Sequence, residues 1–76
     1  MKDLIAYIAK SLVDSPDEVH VSTLDRDQGT AIELEVAPGD LGKVIGRQGR
    51  TARALRTLLT AAGQGGRRRY ILDILD

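Results

Sequence analysis

Two glycines three positions apart, Gly46 and Gly49, interrupt the longest helical pattern in the chain. A short helix is predicted before them over about residues 41–45, and a longer one after them from near Arg50 to about Ala62. Glycine disfavours helix interiors and lets the backbone bend sharply. The pair therefore predicts two helices joined by a tight loop in the second half of the chain.

The residues around these helices support the same division. The longer helix has an apolar stripe formed by Ala52, Leu55, Leu59 and Ala62. Leu58 lies alongside this stripe. Gly63 follows as the expected C′ glycine that ends this helix. The turn Ala37-Pro38-Gly39-Asp40 precedes the short helix, and Asp40 is a predicted N-cap.

The remaining segments predict one helix and three strands. Residues 2–13 have helical apolar spacing that stops at Ser15-Pro16, since proline cannot continue a helix. Residues 18–24 and 30–36 alternate as strands of a hairpin, and residues 68–75 alternate as a last strand. One face of the first strand carries Val19, Val21 and Thr23. One face of the second carries Ile32, Leu34 and Val36, and the core face of the third carries Tyr70.

The predicted order is α-β-β-α-α-β over a single domain, residues 1–76. Helices packed on one face of a sheet make this an α+β fold. The two-helix connection between the second and third strands is long enough to make them parallel neighbours. The sequence therefore predicts a three-stranded mixed sheet.

Composition restricts the chemistry. The 76 residues contain no cysteine, which excludes disulfides and thiolate metal sites and is typical of a reducing compartment. We expect a cytoplasmic protein, because the N-terminus does not have the pattern of a signal peptide and no apolar run approaches a membrane span. His20 is the sole histidine and is expected on an exposed strand face, and no catalytic constellation, metal site or cofactor motif is present. An enzyme is not expected.

Charge is divided unevenly along the chain, although the net charge is zero. Residues 1–40 contain three bases and nine acids, and residues 41–76 contain eight bases and two acids. The asymmetry favours an anion-binding surface on one side. The alternative, that the two halves neutralise each other across the fold, is equally compatible with charge alone.

The glycine loop is the strongest candidate site. Gly46-Arg47-Gln48-Gly49 opens a helix, where unpaired N–H groups and the helix dipole favour a phosphate. Arg47, Arg50, Arg53 and Arg56 recur every third residue, and the two nearest the loop are the preferred phosphate contacts over Arg53 and then Arg56. Lys43 is a further candidate, although a solvated helix face is the usual place for such charges.

The chain has two tyrosines and no phenylalanine or tryptophan, so an aromatic platform for stacking bases is not expected. Bases would instead lie in an aliphatic groove with Val44 and Ile45 as candidate walls. Tyr7 is expected at the edge of the helix packing.

The segment Leu41-Gly42-Lys43-Val44-Ile45-Gly46-Arg47-Gln48-Gly49-Arg50 resembles the signature of KH domains. The preceding α-β-β order and the single closing strand resemble the type II arrangement, and the short length resembles the stand-alone bacterial KhpA family. This resemblance covers essentially the whole chain. It implies single-stranded RNA as the ligand, with Gly46, Arg47, Gln48 and Gly49 as the clamp and Ile45 in the groove. It also implies an RNA chaperone that forms a homodimer, pairs with a KhpB-type partner and serves cell-length and peptidoglycan homeostasis.

A second hypothesis is a protein–protein adaptor with a KH-like fold. It is favoured by the small core and by Ala54 and Ala61, which suggest a flat exposed surface on the longer helix. The run Arg67-Arg68-Arg69 fits an extended basic patch, a protective strand edge or simple solubility charge equally well.

Overall fold

The order of helices and strands predicted from the sequence is confirmed, and the fold is of the type II KH-like class. The computed structural model describes residues 1–27, 29–64 and 69–75, excluding the side chain of Gln64. The elements are α1 (Lys2–Leu12), β1 (His20–Arg26), β2 (Gly29–Glu35), α2 (Leu41–Ile45), α3 (Arg50–Gln64) and β3 (Tyr70–Ile74). Short 3₁₀ turns lie at Pro16–Glu18, Pro38–Asp40 and Arg47–Gly49.

The three strands form one mixed sheet in the order β1-β2-β3. β1 and β2 are antiparallel, with His20 opposite Glu35 and Arg26 opposite Gly29. β2 and β3 are parallel, with Thr30 opposite Tyr70. The parallel pairing confirms the crossover prediction and leaves β3 at an edge of the sheet.

The core lies between the sheet and the three helices. Ile32 and Leu34 of the central strand have no exposed surface, and neither have Ile5 of α1, Val44 of α2 and Leu59 of α3. Each helix therefore contributes at least one side chain that is fully removed from water. Burial of this apolar surface supplies most of the stabilisation that a small domain has available.

The first strand differs from its prediction in position and burial. β1 begins at His20 because Pro16 starts a 3₁₀ turn that extends to Glu18. Val19 is buried and Val21 partly so, but Thr23 is exposed although it was expected to share their face. β1 is an edge strand, so its far half receives little cover from the helices.

The outer face of the sheet carries a short apolar row. Ala31 lies opposite Leu24 on one side and Ile71 on the other. Ala31 is fully buried and Leu24 is 47% exposed. Ala31 alternates with Ile32 along β2, and its burial on the outer face follows from its larger cross-strand neighbours there.

The end of α3 was predicted wrongly. The helix continues through Gly63 to Gln64, so Gly63 is not the C′ residue, and Ala62 is exposed rather than part of the buried stripe. Ala52, Leu55 and Leu59 are buried as predicted.

Tyr70 packs partly buried against the core, whereas Tyr7 is 73% exposed and lies outside the helix packing. The predicted last strand begins at residue 68, which lies outside the described residues.

We expect Leu59→Ala to destabilise the domain by about 2–5 kcal/mol, because it removes a fully buried side chain and leaves a cavity. Urea denaturation followed by circular dichroism measures this loss. Leu58→Ala is the matched control on the same helix, since Leu58 is 38% exposed. A loss as large for Leu58 as for Leu59 would contradict the core described above.

Candidate nucleic-acid interface

The first glycine of the loop ends α2 and is required by its surroundings. Gly46 has φ 78° and ψ 170°, a conformation that side chains strongly disfavour. Its N–H donates to the Gly42 carbonyl at 2.8 Å. A Cβ on Gly46 would overlap the Thr51 Oγ1 and lie 2.8 Å from the Thr51 nitrogen. Gly46 therefore makes the turn and lets α3 pack closely behind it.

The second glycine faces open space. Gly49 has φ 74°, yet a Cβ placed on it would meet no heavy atom within 4 Å. Gln48, between the two glycines, is also in the left-handed region with φ 58° and ψ 25°. Two consecutive left-handed residues present the loop backbone outward, and the missing side chain at Gly49 leaves room for a ligand to approach it closely.

The loop leads directly into α3. The Gly49 N–H donates to the Gly46 carbonyl at 3.1 Å, and the Arg50 N–H donates to the Arg47 carbonyl. The N–H groups of Arg47 and Gln48 precede these bonds, so they have no acceptor within the turn. The positive end of the 15-residue helix dipole adds to them. The arrangement favours a negatively charged group at the loop.

A groove runs from this loop towards the free edge of β3. Its volume is about 260 Å³. The residues that line it are mainly apolar, with one cation, and comprise Leu41, Ile45, Gly49, Ala52, Arg56 and Ile74. We call this space the loop groove. Gly49 belongs both to the loop and to the groove, so a ligand that lies against the loop backbone also enters the apolar space.

The β3 backbone contributes polar groups along the same edge. The Thr30 N–H donates to the Arg69 carbonyl and the Leu75 N–H donates to the Leu34 carbonyl, each at 2.8 Å. In a parallel ladder alternate residues bond to the neighbouring strand. The N–H and C=O groups of Tyr70, Leu72 and Ile74 therefore point away from β2, towards the free edge.

The arginines of α3 and its loop carry uncompensated charge. Within the described ranges no acid forms an ion pair with Arg47, Arg50, Arg53 or Arg56. The Arg50 Nη2 donates to the Gln48 Oε1 at 3.5 Å, a weak brace across the loop. Among the described residues, ion pairs between the two halves of the chain are formed by Lys43 with Asp14 and Asp40, and by Arg26 with Asp73. The Arg26 Nη2 lies 3.9 Å from the Asp73 Oδ2.

Lys43, a predicted phosphate contact, forms ion pairs with two carboxylates of the domain. Its Nζ donates to the Asp14 Oδ2 at 2.7 Å and to the Asp40 Oδ1 at 3.5 Å. The hydrogen bond to Asp14 raises the Lys43 pKa, with attraction to both carboxylates outweighing partial burial. This engaged cation ties α2 to the end of α1.

Asp40 occupies the predicted N-cap position but caps a different segment. No side-chain cap bond is made to α2. Its carboxylate, 4% exposed, instead accepts the N–H groups of Asp14 and Ser15 at 3.2 and 3.0 Å. Burial favours the neutral acid, but these N–H donors and Lys43 outweigh it and lower the Asp40 pKa. Asp40 therefore fixes the chain that leaves α1 against the start of α2.

The structure brings together only part of the predicted site. Ile45 and Gly49 line the loop groove, and Arg47, Gln48 and Arg50 are exposed at the loop. Val44 is fully buried and cannot serve as a groove wall. Arg53 is exposed on α3 and does not line the groove.

Three groove residues were missed by the sequence reasoning, namely Leu41, Ala52 and Ile74, and Arg56 was ranked last among the arginines. Helical spacing contains a signal for Arg56, since Gly49, Ala52 and Arg56 follow at intervals of three and four and share one face. Arg67 and Arg68 lie outside the described residues.

Comparison with known proteins shows the family to which the chain belongs. The family model described as "KhpA/KhpB, KH domain" matches residues 2–74. The chain belongs to this family. It is 54% identical over 76 residues to the RNA-binding protein KhpA of Halalkalibacterium halodurans, with all of both chains covered. No solved structure matches the chain.

Two further relatives show the same full-length similarity. The RNA-binding protein KhpA of Clostridium acetobutylicum is 52% identical, covering 99% of this chain and 100% of the relative. That of Aquifex aeolicus is 50% identical, covering 100% of this chain and 96% of the relative. Membership confirms the predicted family, whose KH domains are non-catalytic binders. Among the described residues, no helix is long and apolar enough to cross a membrane.

We expect Asp40→Asn to lower the thermal midpoint at pH 7, because the neutral amide attracts the two N–H groups and Lys43 less strongly. The Asp40 pKa is lowered on folding, so its ionised form stabilises the domain above about pH 4, the usual range of an aspartate. This contribution is lost as the pH falls through the folded-state pKa. The midpoint difference between wild type and variant should therefore shrink in acid.

Asp14→Asn is the control for this prediction, since Asp14 is exposed and interacts only at the surface with Lys43. A difference between wild type and Asp40→Asn that stays constant from pH 7 to pH 2 would contradict the role assigned to the carboxylate.

Proposed function

We propose that the chain binds single-stranded RNA without catalysis, holding backbone phosphates at the Gly46-Arg47-Gln48-Gly49 loop and bases in the loop groove. The observation that carries this is the open position at Gly49, where loop backbone, helix start and groove meet. A phosphate there reaches free N–H groups and unpaired arginines, while the attached base reaches apolar side chains.

The proposed roles follow from placement. Arg47, Gln48 and Arg50 contact phosphates, and Arg53 adds a more distant positive charge. Ile45 lines the floor on which bases lie. Lys43 and Val44 act indirectly, since the first is held by Asp14 and Asp40 and the second supports α2 from the core.

Single-stranded RNA fits better than a duplex. The backbone groups along the β3 edge can hydrogen-bond to the Watson–Crick edge of a base only where that base is unpaired. The groove side chains are aliphatic, so bases gain from apolar contact rather than from aromatic stacking at this position.

The family supports more specific proposals. The family model spans both KhpA and KhpB, and we infer that the chain acts in the cytoplasm as an RNA chaperone or post-transcriptional regulator. It would pair there with a KhpB-type partner in cell-length and peptidoglycan homeostasis. Copurification of such a partner from the native host, with and without ribonuclease, separates direct pairing from a shared RNA.

Replacing Arg47 and Gln48 together with aspartates should weaken RNA binding at least tenfold, because two negative charges then face the phosphates. Fluorescence anisotropy with a short labelled RNA measures the affinity. With three phosphate contacts, log affinity against log salt should slope at about −2 for the wild type and become shallower in the variant.

The matched control is Lys10→Asp with Ser11→Asp, which makes the same change in net charge at two exposed positions of α1. Unchanged binding by a folded loop variant would refute the clamp. An equal loss in both double variants would show that net charge alone governs affinity.

Self-association is a second proposed property. α3 exposes Ala54, Leu58 and Ala61 on the side away from the groove, and Leu58 is 38% exposed. A flat, weakly polar helix face of this kind is suited to packing against a second copy. An adaptor role is the alternative if this association proves independent of RNA.

We expect sedimentation velocity to show a dimer without RNA, and Ala61→Glu to shift it towards monomer while leaving the thermal midpoint nearly unchanged. Thr60 is the neighbouring exposed position on the side of α3 that faces the start of β3, and Thr60→Glu is the control. A wild-type chain that remains monomeric at high concentration would contradict self-association. A dimer with no affinity for RNA would favour the adaptor.

A further inference from the structure

A second and larger cavity lies beside the loop groove. It occupies about 430 Å³ between the C-terminal half of α3 and the first residues of β3. Leu59 and Leu72 form its apolar floor, and Tyr70, Arg69, Thr60 and Arg56 are among the residues around it. We call it the Tyr70 cavity. Arg56 lines both spaces, so the two are neighbours along one path.

The composition of the Tyr70 cavity differs from that of the loop groove. It contains an aromatic ring that packs partly buried against the core, with a cation on α3 and another at the start of β3. Neither Arg56 nor Arg69 forms an ion pair with any described acid. An aromatic face beside free arginines suits a nucleotide, whose base stacks while its phosphate pairs with a guanidinium.

The wall of the cavity at β3 is held firmly. The Arg69 carbonyl accepts the Thr30 N–H at 2.8 Å. A Cβ at Gly29 would overlap the same carbonyl oxygen, so the start of β2 lies directly against the Arg69 backbone. Tyr70 and Arg69 therefore project from a backbone that is fixed to the central strand, which limits the entropy lost when a ligand binds there.

We propose that the Tyr70 cavity binds an additional nucleotide of the same RNA strand, beyond those held in the loop groove. The strand would leave the groove past Arg56 and place its next base against Tyr70. This inference rests on the proposed function, since it takes the loop groove as the first site. It assigns Tyr70, Arg69 and Arg56 to binding, although an aromatic contact was not expected from the sequence.

Oligoadenylates of four, five, six and seven nucleotides test the proposal, with affinity measured by NMR titration. Four nucleotides fill a KH groove, and a hexamer offers three registers to such a site, so about threefold of any gain is statistical. Stacking of one further base should add about fivefold or more beyond that factor. The Tyr70, Ile71 and Leu72 amide signals should shift with the hexamer and much less with the tetramer.

Two variants locate the gain. Tyr70→Leu keeps apolar bulk and Arg69→Gln keeps polarity, and each should reduce the hexamer-to-tetramer ratio towards the statistical value without weakening the tetramer. Tyr70→Phe should retain most of the gain because it keeps the ring. Lys10→Gln removes a charge from an exposed position of α1 outside both spaces and should leave the ratio unchanged.

The outcomes distinguish this inference from the proposed function. A wild-type ratio at the statistical value, or a full gain in both Tyr70→Leu and Arg69→Gln, would overturn the additional site. If the tetramer does not bind, or binds equally to the Arg47 and Gln48 aspartate variant, the proposed function itself fails. Should Tyr70→Leu not fold, Arg69→Gln and the amide shifts still decide the question.

Discussion

The parallel pairing of β2 with β3 is the constraint on which the rest of the structure depends. Parallel neighbours cannot be joined by a tight turn, so the chain must cross over the sheet and return. Here the crossover consists of α2, the glycine loop and α3, and it brings α3 down beside the free edge of β3. The loop groove is the space between that helix and that edge. The same connection that makes the sheet possible thus creates the proposed binding surface.

The two glycines of the loop divide the work of this crossover. Gly46 is needed by the protein itself, because Thr51 occupies the position of a side chain. Gly49 has no such neighbour and opens onto the groove. The ion pairs of Lys43 also stabilise the protein itself, since they anchor α2 to the end of α1 through Asp14 and Asp40. A basic residue one turn before the loop consequently stabilises the fold, while the arginines after the loop remain available to a ligand.

Periodicity predicted the elements well because burial follows it wherever a strand or helix is covered. Ile32, Leu34, Leu55 and Leu59 are buried as their spacing indicated. Periodicity failed where burial depends on neighbours distant in sequence, as at Thr23 on an edge strand. The glycine signal for a helix end failed at Gly63, which stays helical although glycine commonly ends helices. The hydrogen bonds of Asp40 were also beyond what spacing could predict, since its carboxylate accepts the N–H groups of Asp14 and Ser15, which precede it by 26 and 25 positions. The groove role of Arg56 and Ile74 likewise depends on how α3 packs beside β3.

The energetic demands on such a site favour several weak contacts over one strong one. The loop groove is small and aliphatic, and its phosphate contacts are exposed to water, so one domain should bind RNA in the micromolar range or more weakly. A second copy on the same strand changes this, because flexible linkage within one RNA gives an effective concentration of about millimolar and an avidity gain of about 10²–10⁴. That gain exceeds what one further stacked base supplies. The proposed self-association through the face of α3 opposite the groove would leave both grooves open, so it would reinforce RNA binding rather than compete with it.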